Sequence, residues 1–539
     1  MLKLKKEELK NKAQWEDAGI NTPQFDYQSL IDKTGENPEW LHFGAGNIFR
    51  AFIARLQQEL LNQGKVDTGI IAAEGFDYEI IDKIYQPTDN LSLVVKMFAD
   101  GKLEKTLLAS ITESLKADSQ FKNDWQRLKT IFKKPSLKMA SFTVTEKGYS
   151  LQNMKGEFFP FVLEDFEAGP KGKLNHLMAK VAALAYVRYN SGELPLAFVS
   201  MDNCSHNGQK LKDAVLTVAE HWLKNGLVEK EYLDYLKDES KVAFPWSMID
   251  KITPGPAADV QQKLKQIGFK NNEIVKTNKN TEIAAFVNAE APEYLVIEDS
   301  FPNGKIPLDQ AGAIYTDRAT VNQVEKMKVT TCLNPLHTAM AVYGCLLGHN
   351  SIAEEMEDKE IRALVEQIGY QEGLPVVVDP GVLDPKKFID EVVNERLVNP
   401  YIPDTPQRIA KDTSQKVAIR FGETIKSYRD AENLEPTDLV VVPLAIAGWL
   451  RYLLAVDDQG KEMPLSSDPM LDELTGQLEE IEFGSPNSIG DKLKSILSNE
   501  KLMGSDLYQL GLGEKIEGYF KEMIAKKGAV RATLNKYLM

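Results

Sequence analysis

The decapeptide Lys328–His337 reads KVTTCLNPLH and places a lysine, an asparagine and a histidine on one short segment. A lysine can exchange a proton and a carboxamide can donate to an oxygen gathering negative charge, with the histidine three residues beyond the asparagine. Together they are the equipment for reducing a carbonyl group. Each residue also has a plainer reading. Asn334 would cap a helix whose first turn holds Pro335, and a lone lysine or histidine is commonly structural. The β-branched run after Lys328 resists helix, so Lys328 is expected to precede the helix and His337 to lie one turn inside it. Cys332 lacks the His/Asn partnership of a protease nucleophile.

A carbonyl reductase needs a hydride donor, and the N-terminal region offers a place for one. The apolar run Trp40–Phe43 stops at Gly44-Ala45-Gly46, and Ile48, Phe52, Ile53, Leu56 and Leu60 then recur at helical spacing. A strand, a glycine turn and a helix can bring backbone N–H groups to a pyrophosphate, or be a tight turn and nothing more. Phe49 stands where the usual fingerprint has its third glycine. Gly44, Gly46, Asn47, Phe49 and Arg50 are the candidates of this turn, Arg50 as a cation near phosphate or as a solvated helix residue. Glu74 ends the next strand candidate, Thr68–Ala73, where an acid can accept from an adenosine ribose and favour NAD; Asp77 competes for that role.

Further polar clusters follow apolar strands. TVTEKGY, with Thr145 and Glu146, follows the run beginning at Met139, and DNCSHNG, with Asn203, follows Leu196–Met201. Ligands of open α/β sheets collect at such carboxyl ends. FPWSMIDKITP carries Asp250 and Lys251, a pair that usually belongs to the surface. Arg408 and Lys416 in RIAKDTSQK would share one side of a continuous helix, as a basic pair for a substrate or as a solvated face.

The elements that must hold these residues divide the chain in two. Strand and helix signals alternate in the first part, with a hairpin at Leu91–Phe98 and Leu103–Ile111 around Asp100-Gly101, which reads as a mostly parallel sheet. From about Tyr315 the apolar spacing is helical, in Thr338–Leu347, Ile361–Ile368, Phe388–Leu397, Leu439–Leu454, Leu471–Ile481 and Ile516–Ile524. The expected fold is α/β, with an N-terminal extension and Rossmann-type domain over 1–317 and a mostly helical domain over 318–539. The net charge of −15 argues against nucleic acid or an anionic membrane as partner. No stretch approaches about eighteen uninterrupted apolar residues, and the start has no apolar signal-peptide core. Three cysteines without a CxxC give neither a disulfide framework nor a zinc knuckle, which fits a cytoplasmic protein.

Taken in order, GAGNIFRAF, TVTEKGY, DNCSHNG, FPWSMIDKITP, KVTTCLNPLH, RIAKDTSQK and GWLRYL resemble the polyol-specific long-chain dehydrogenase/reductase family, over most of the chain beyond the first ~35 residues. The resemblance implies a Rossmann-type domain and a helical domain with the active site between them, NAD as cofactor, no catalytic metal, and a sugar acid or polyol as substrate. It implies Lys328 as general acid/base, Asn203 and Asn334 as donors to the oxyanion, His337 as a hydroxyl contact, and Asp250, Arg408 and Lys416 as lining of the substrate pocket. The family's lysine usually stands five residues before the asparagine, whereas here the interval is six, and one residue on a helix is a turn of ~100°; Lys326 is the alternative. Within the family, the N-terminal extension, the length and the NPLH variant point to interconversion of D-fructuronate and D-mannonate in hexuronate catabolism. The tagaturonate and mannitol–fructose reactions are alternatives, and a nucleotide-binding member without catalysis is another. A substrate carboxylate would meet Arg408, Lys416 or Lys251. Oligomeric state is left open.

Overall fold

The computed structural model describes residues 2–539, which fall into two compact units, 2–97 with 102–322 and 98–101 with 323–539. In the first unit, six strands form one sheet: β1 (Trp40–Phe43), β2 (Ile70–Glu74), β3 (Ile111–Lys116), β4 (Met139–Phe142), β5 (Leu196–Ser200) and β6 (Val242–Ala243). Their spatial order is β3-β2-β1-β4-β5-β6, and every pairing is parallel. β1, β2, β4 and β5 are buried along their whole length, as apolar runs in a sheet covered on both faces should be. The order reverses between β1 and β4, the crevice where doubly wound sheets bind their ligands.

A helical stretch of π turns over Phe49–Ile53 followed by α1 (Ala54–Asn62) leads from β1 to β2. α2 (Leu177–Tyr189) and α3 (Asn207–Lys224) contribute Met178, Val181, Leu184, Leu211, Val215 and Trp222 to a core shared with Phe43, Phe142 and Phe198. The expected hairpin is present, Ser92–Met97 pairing antiparallel with Leu103–Leu108. It belongs to a second sheet that also takes Phe286–Glu290 and, at its edge, Ile20–Asn21. The N-terminal stretch is therefore woven into the unit rather than appended to it, with Leu4, Trp15 and Ile20 buried.

The second unit is helical, as the apolar spacing requires. α4 (Arg318–Met327), whose first residues belong to the first unit, continues into a π segment, Lys328–Cys332, and then α5 (Asn334–Leu347). α5 is buried on nearly every face and packs against α6 (Lys359–Glu366) and α7 (Val441–Tyr452), while α7 also packs on α8 (Gly513–Ile524). The glycine of GWLRYL has a packing role. A Cβ on Gly448 would come within 2.7 Å of the Tyr343 ring, whose hydroxyl donates to the Leu444 carbonyl at 2.7 Å. Arg451 of the same motif is buried and donates to the carbonyls of Val456 and Asp457. No helix among the described residues is long and apolar enough to cross a membrane.

Candidate functional site

Within the first unit a cleft of about 610 Å³ opens at the carboxyl ends of β1, β2 and β4. Gly44 and Gly46 line it after β1, Glu74 at the end of β2 with Phe76, Asp77 and Ile80 beyond it, and Thr143, Val144 and Thr145 after β4. Gly44 has φ +103°, and a Cβ there would stand 2.1 Å from the Thr143 carbonyl oxygen. Only glycine lets the turn pass so close to its neighbour. A mainly apolar wall with a backbone loop at its head, at the point where strand order reverses, has the dimensions and chemistry for a dinucleotide.

Glu74 is more constrained than a strand-end acid awaiting a ribose. Its carboxylate accepts from the N–H groups of Ala45 at 2.8 Å, Phe76 at 2.8 Å and Asp77 at 3.2 Å. It ties the glycine turn to the loop after β2. Burial lifts its pKa above the usual carboxylate value, and the three N–H donors oppose that rise. Asp77, its competitor, accepts from the Thr277 hydroxyl at 2.6 Å.

Four residues of the sequence reading stand elsewhere. Arg50 is neither a phosphate cation nor solvated: it is fully buried and donates to the Ala284 carbonyl at 2.8 Å and to Asn47 Oδ1 at 3.1 Å. Asn47 donates in turn to the Pro254 carbonyl at 3.0 Å. Phe49 is buried against His42, the rings stacked at 4.1 Å, so a large side chain fills the place of the third glycine. Glu146 is exposed and ion-paired with Lys210 rather than lining the cleft.

Thr145 sits in the cleft wall at φ +64°, ψ 161°, a conformation that a β-branched residue adopts only when held. The Asp202 carboxylate holds it, accepting from Thr145 N–H at 2.8 Å, Val144 N–H at 2.9 Å and the Tyr149 hydroxyl at 2.5 Å. Asn203 follows Asp202 and is exposed. Asp250 ends the strand Ser247–Asp250 and is buried, as is Lys251, so this acid–base pair is not the surface feature its sequence suggested. Lys251 donates to Glu293 at 2.8 Å and to the Glu290 carbonyl at 2.6 Å, and burial lowers its pKa to about 8. These partners absorb its charge.

His42 escaped the sequence reading. It lies in β1 between two hydroxyls, Nδ1 2.7 Å from Ser141 Oγ and Nε2 2.8 Å from Thr143 Oγ1. Burial lowers its pKa to about 3, so it is neutral and Thr143, in the cleft wall, has a fixed neighbour. A histidine preceding GAG within an apolar strand was the available signal.

In the second unit Lys328 does precede α5, but on a helical path rather than on a run that resists helix. It opens the π segment, whose last turn closes with a bond from Leu333 N–H to the Lys328 carbonyl at 3.1 Å. Such an i→i+5 turn carries one residue more than an α turn, which meets the six-residue interval from lysine to asparagine. Asn334 is the first residue of α5 and makes no capping bond, so the cap reading fails. Lys328 is buried, whereas Lys326 is half exposed and 3.9 Å from Glu423.

His337, one turn into α5, lies 3.8 Å from Asp404. Burial lowers its pKa to about 4, with Asp404 opposing and Arg420, Arg408 and Arg396 adding to the effect. Arg408 and Lys416 do not share a continuous helix, since Pro406–Ile409 is a single turn and Thr413–Gln415 a separate one. Arg408 makes a two-pronged pair with Asp404, Nε at 2.6 Å. Lys416 donates to the carbonyls of Ile409 at 3.1 Å and Lys411, and its pKa falls to about 8 through burial first and Arg420 next. Asp404 and Arg420 were not singled out from sequence; their positions four residues before Arg408 and after Lys416 were the only hint. Among the described residues no group of three or more His, Cys, Asp or Glu side chains is placed to hold a metal ion.

Residues 38–310 match the mannitol dehydrogenase Rossmann domain and residues 320–523 the mannitol dehydrogenase C-terminal domain. D-mannonate oxidoreductase of Thermotoga maritima is 53% identical over 537 residues, covering 99% of this chain and 99% of that one. Among solved structures, D-sorbitol dehydrogenase in substrate-free form matches with TM-score 0.76 at 21% identity, over 97% of this chain and 98% of that one. The Pseudomonas fluorescens mannitol 2-dehydrogenase ternary complex with NAD and D-mannitol matches with TM-score 0.66 at 23% identity, over 96% of each.

Proposed function

Because the chain belongs to the mannitol dehydrogenase family, we propose that it is an NAD-dependent oxidoreductase interconverting D-fructuronate and D-mannonate. The observation that carries this reading is the full-length, 53% likeness to a D-mannonate oxidoreductase. The cleft at the reversal of strand order supports the dinucleotide, with the turn Gly44–Gly46, Thr143 and Thr145 against the pyrophosphate side and Glu74 or Asp77 against the adenosine ribose. A bound nicotinamide supplies the hydride chemistry.

The chain's own residues handle the proton and the charge. Lys328 Nζ gives a proton to the ketone oxygen as the alcohol forms and takes it back in the reverse direction. Asn203 and Asn334 donate to that oxygen while it carries negative charge, each worth about 3 kcal/mol by analogy with a single oxyanion donor. His337, kept neutral by burial, offers one ring nitrogen to a substrate hydroxyl, and Asp250, Arg408 and Lys416 line the substrate pocket. The burial of Lys328, against the exposure of Lys326, supports the choice of lysine. The reading also includes a cytoplasmic place in hexuronate catabolism, in keeping with three cysteines that form no disulfide.

The test follows NADH consumption with D-fructuronate, D-tagaturonate and D-fructose in turn. Turnover of fructuronate well above the other two is expected. Preference for tagaturonate or fructose would assign one of the sister reactions, and NADH binding without turnover of any would make this a non-catalytic member.

A further inference from the structure

Three cations were candidates to meet a substrate carboxylate, and each is engaged. Arg408 is paired with Asp404, Lys416 with two backbone carbonyls, and Lys251 with Glu293 and a carbonyl. Arg420 differs from all three. It lies in the π segment Ala418–Gly422, partly buried, and its guanidinium donates to the neutral hydroxyl of Thr338, the residue after His337. No carboxylate among the described residues pairs with it. Burial alone lowers its pKa, to about 10, and its charge depresses the basicity of both His337 and Lys416.

A guanidinium with most of its N–H donors unused, close enough to His337 to depress its basicity, is electrostatically incomplete. Its planar fork matches a carboxylate, with two parallel N–H···O bonds. Asp404, 3.8 Å from His337, is already neutralised by Arg408 and cannot serve. We infer that Arg420 is the anchor for the carboxylate of the sugar acid, the contact that distinguishes such a substrate from a neutral polyol. This inference rests on the reaction proposed above. It makes Arg420 a specificity residue in an otherwise acidic protein, where a local excess of positive charge must be built against a net charge of −15.

The experiment compares Arg420→Gln and Arg420→Lys with the unmodified enzyme in steady-state kinetics with D-fructuronate and NADH. The glutamine variant should raise KM for fructuronate about 10- to 100-fold, the loss of a charge-assisted pair. The lysine variant, which keeps the charge but not the fork, should raise it less. KM for NADH and the thermal midpoint should stay near the unmodified values in the lysine variant, which also serves if the glutamine variant does not fold. A fructuronate KM within about twofold of the original in both variants would overturn the anchor. So would a parallel rise in KM for NADH with a lowered midpoint, which would make Arg420 a strut for Thr338. An unmodified enzyme that does not turn over fructuronate would remove the proposed reaction and this anchor with it, an outcome distinct from an active enzyme indifferent to Arg420.

Discussion

The Glu74 carboxylate accepts a hydrogen bond from Ala45 N–H at 2.8 Å, so the end of one strand fixes the glycine turn that follows its neighbour. Glu74→Ala leaves that N–H and those of Phe76 and Asp77 without their acceptor. The expected cost is about 1–3 kcal/mol in urea unfolding, since buried donors lose their partner. NADH titrations followed by fluorescence should show weaker binding in the same variant. A stable protein with unchanged NADH affinity would mean that the turn does not depend on Glu74.

Thr145 is held at a positive φ by Asp202, and relief of that strain should separate stability from binding. Thr145→Gly is expected to raise stability by about 1 kcal/mol and to weaken NADH, because the cleft wall loses both its side chain and its fixed path. Thermal melts and NADH titrations read the two effects, and a destabilised glycine variant would refute the strain argument.

Lys328→Ala should lower kcat about 100- to 10,000-fold with NADH affinity nearly intact, the loss of a general acid/base. Lys326→Ala should remain close to the unmodified enzyme. The reverse pattern would move the proton transfer to Lys326.

His337 has a folded-state pKa near 4, below its ordinary 6.5, because burial disfavours the imidazolium. The unfolded chain therefore binds more protons than the folded one below about pH 6.5, and stability falls as pH drops from there toward 4, by up to about 1.4 kcal/mol per pH unit for one such group. His42 and His176 act in the same sense. Urea unfolding at steps between about pH 7 and 4.5 should give a shallower loss for His337→Gln than for the unmodified protein. Identical slopes would show that His337 titrates normally in the fold.

The apolar runs Trp40–Phe43, Met139–Phe142 and Leu196–Ser200 were legible because buried parallel strands leave uninterrupted apolar sequence, and the helical spacing after Tyr315 was equally plain. Partners distant in sequence were not. Nothing around Arg50 announces the Ala284 carbonyl, and nothing around Arg408 announces that Asp404 will spend its charge. The run Val329–Cys332 misled for another reason. Its β-branched residues disfavour helix locally, but Thr330 Oγ1 bonds back to the carbonyl of Lys326 one turn earlier at 2.8 Å and Thr331 packs against the distant Gly373, so side-chain bonding within the helix and tertiary packing together override propensity.

The π turn that opens at Lys328 also marks a place where the chain can be edited by one codon. Deleting Val329 would convert it to an ordinary α turn, shorten the interval from Lys328 to Asn334 to five residues and rotate the lysine by ~100° relative to α5. One residue more or less at this turn would thus reset the direction of the Lys328 amine relative to Asn334 and His337, the groups proposed above to act with it. Variation at this one turn is a route by which such a scaffold could gain or lose chemistry while its fold stayed unaltered.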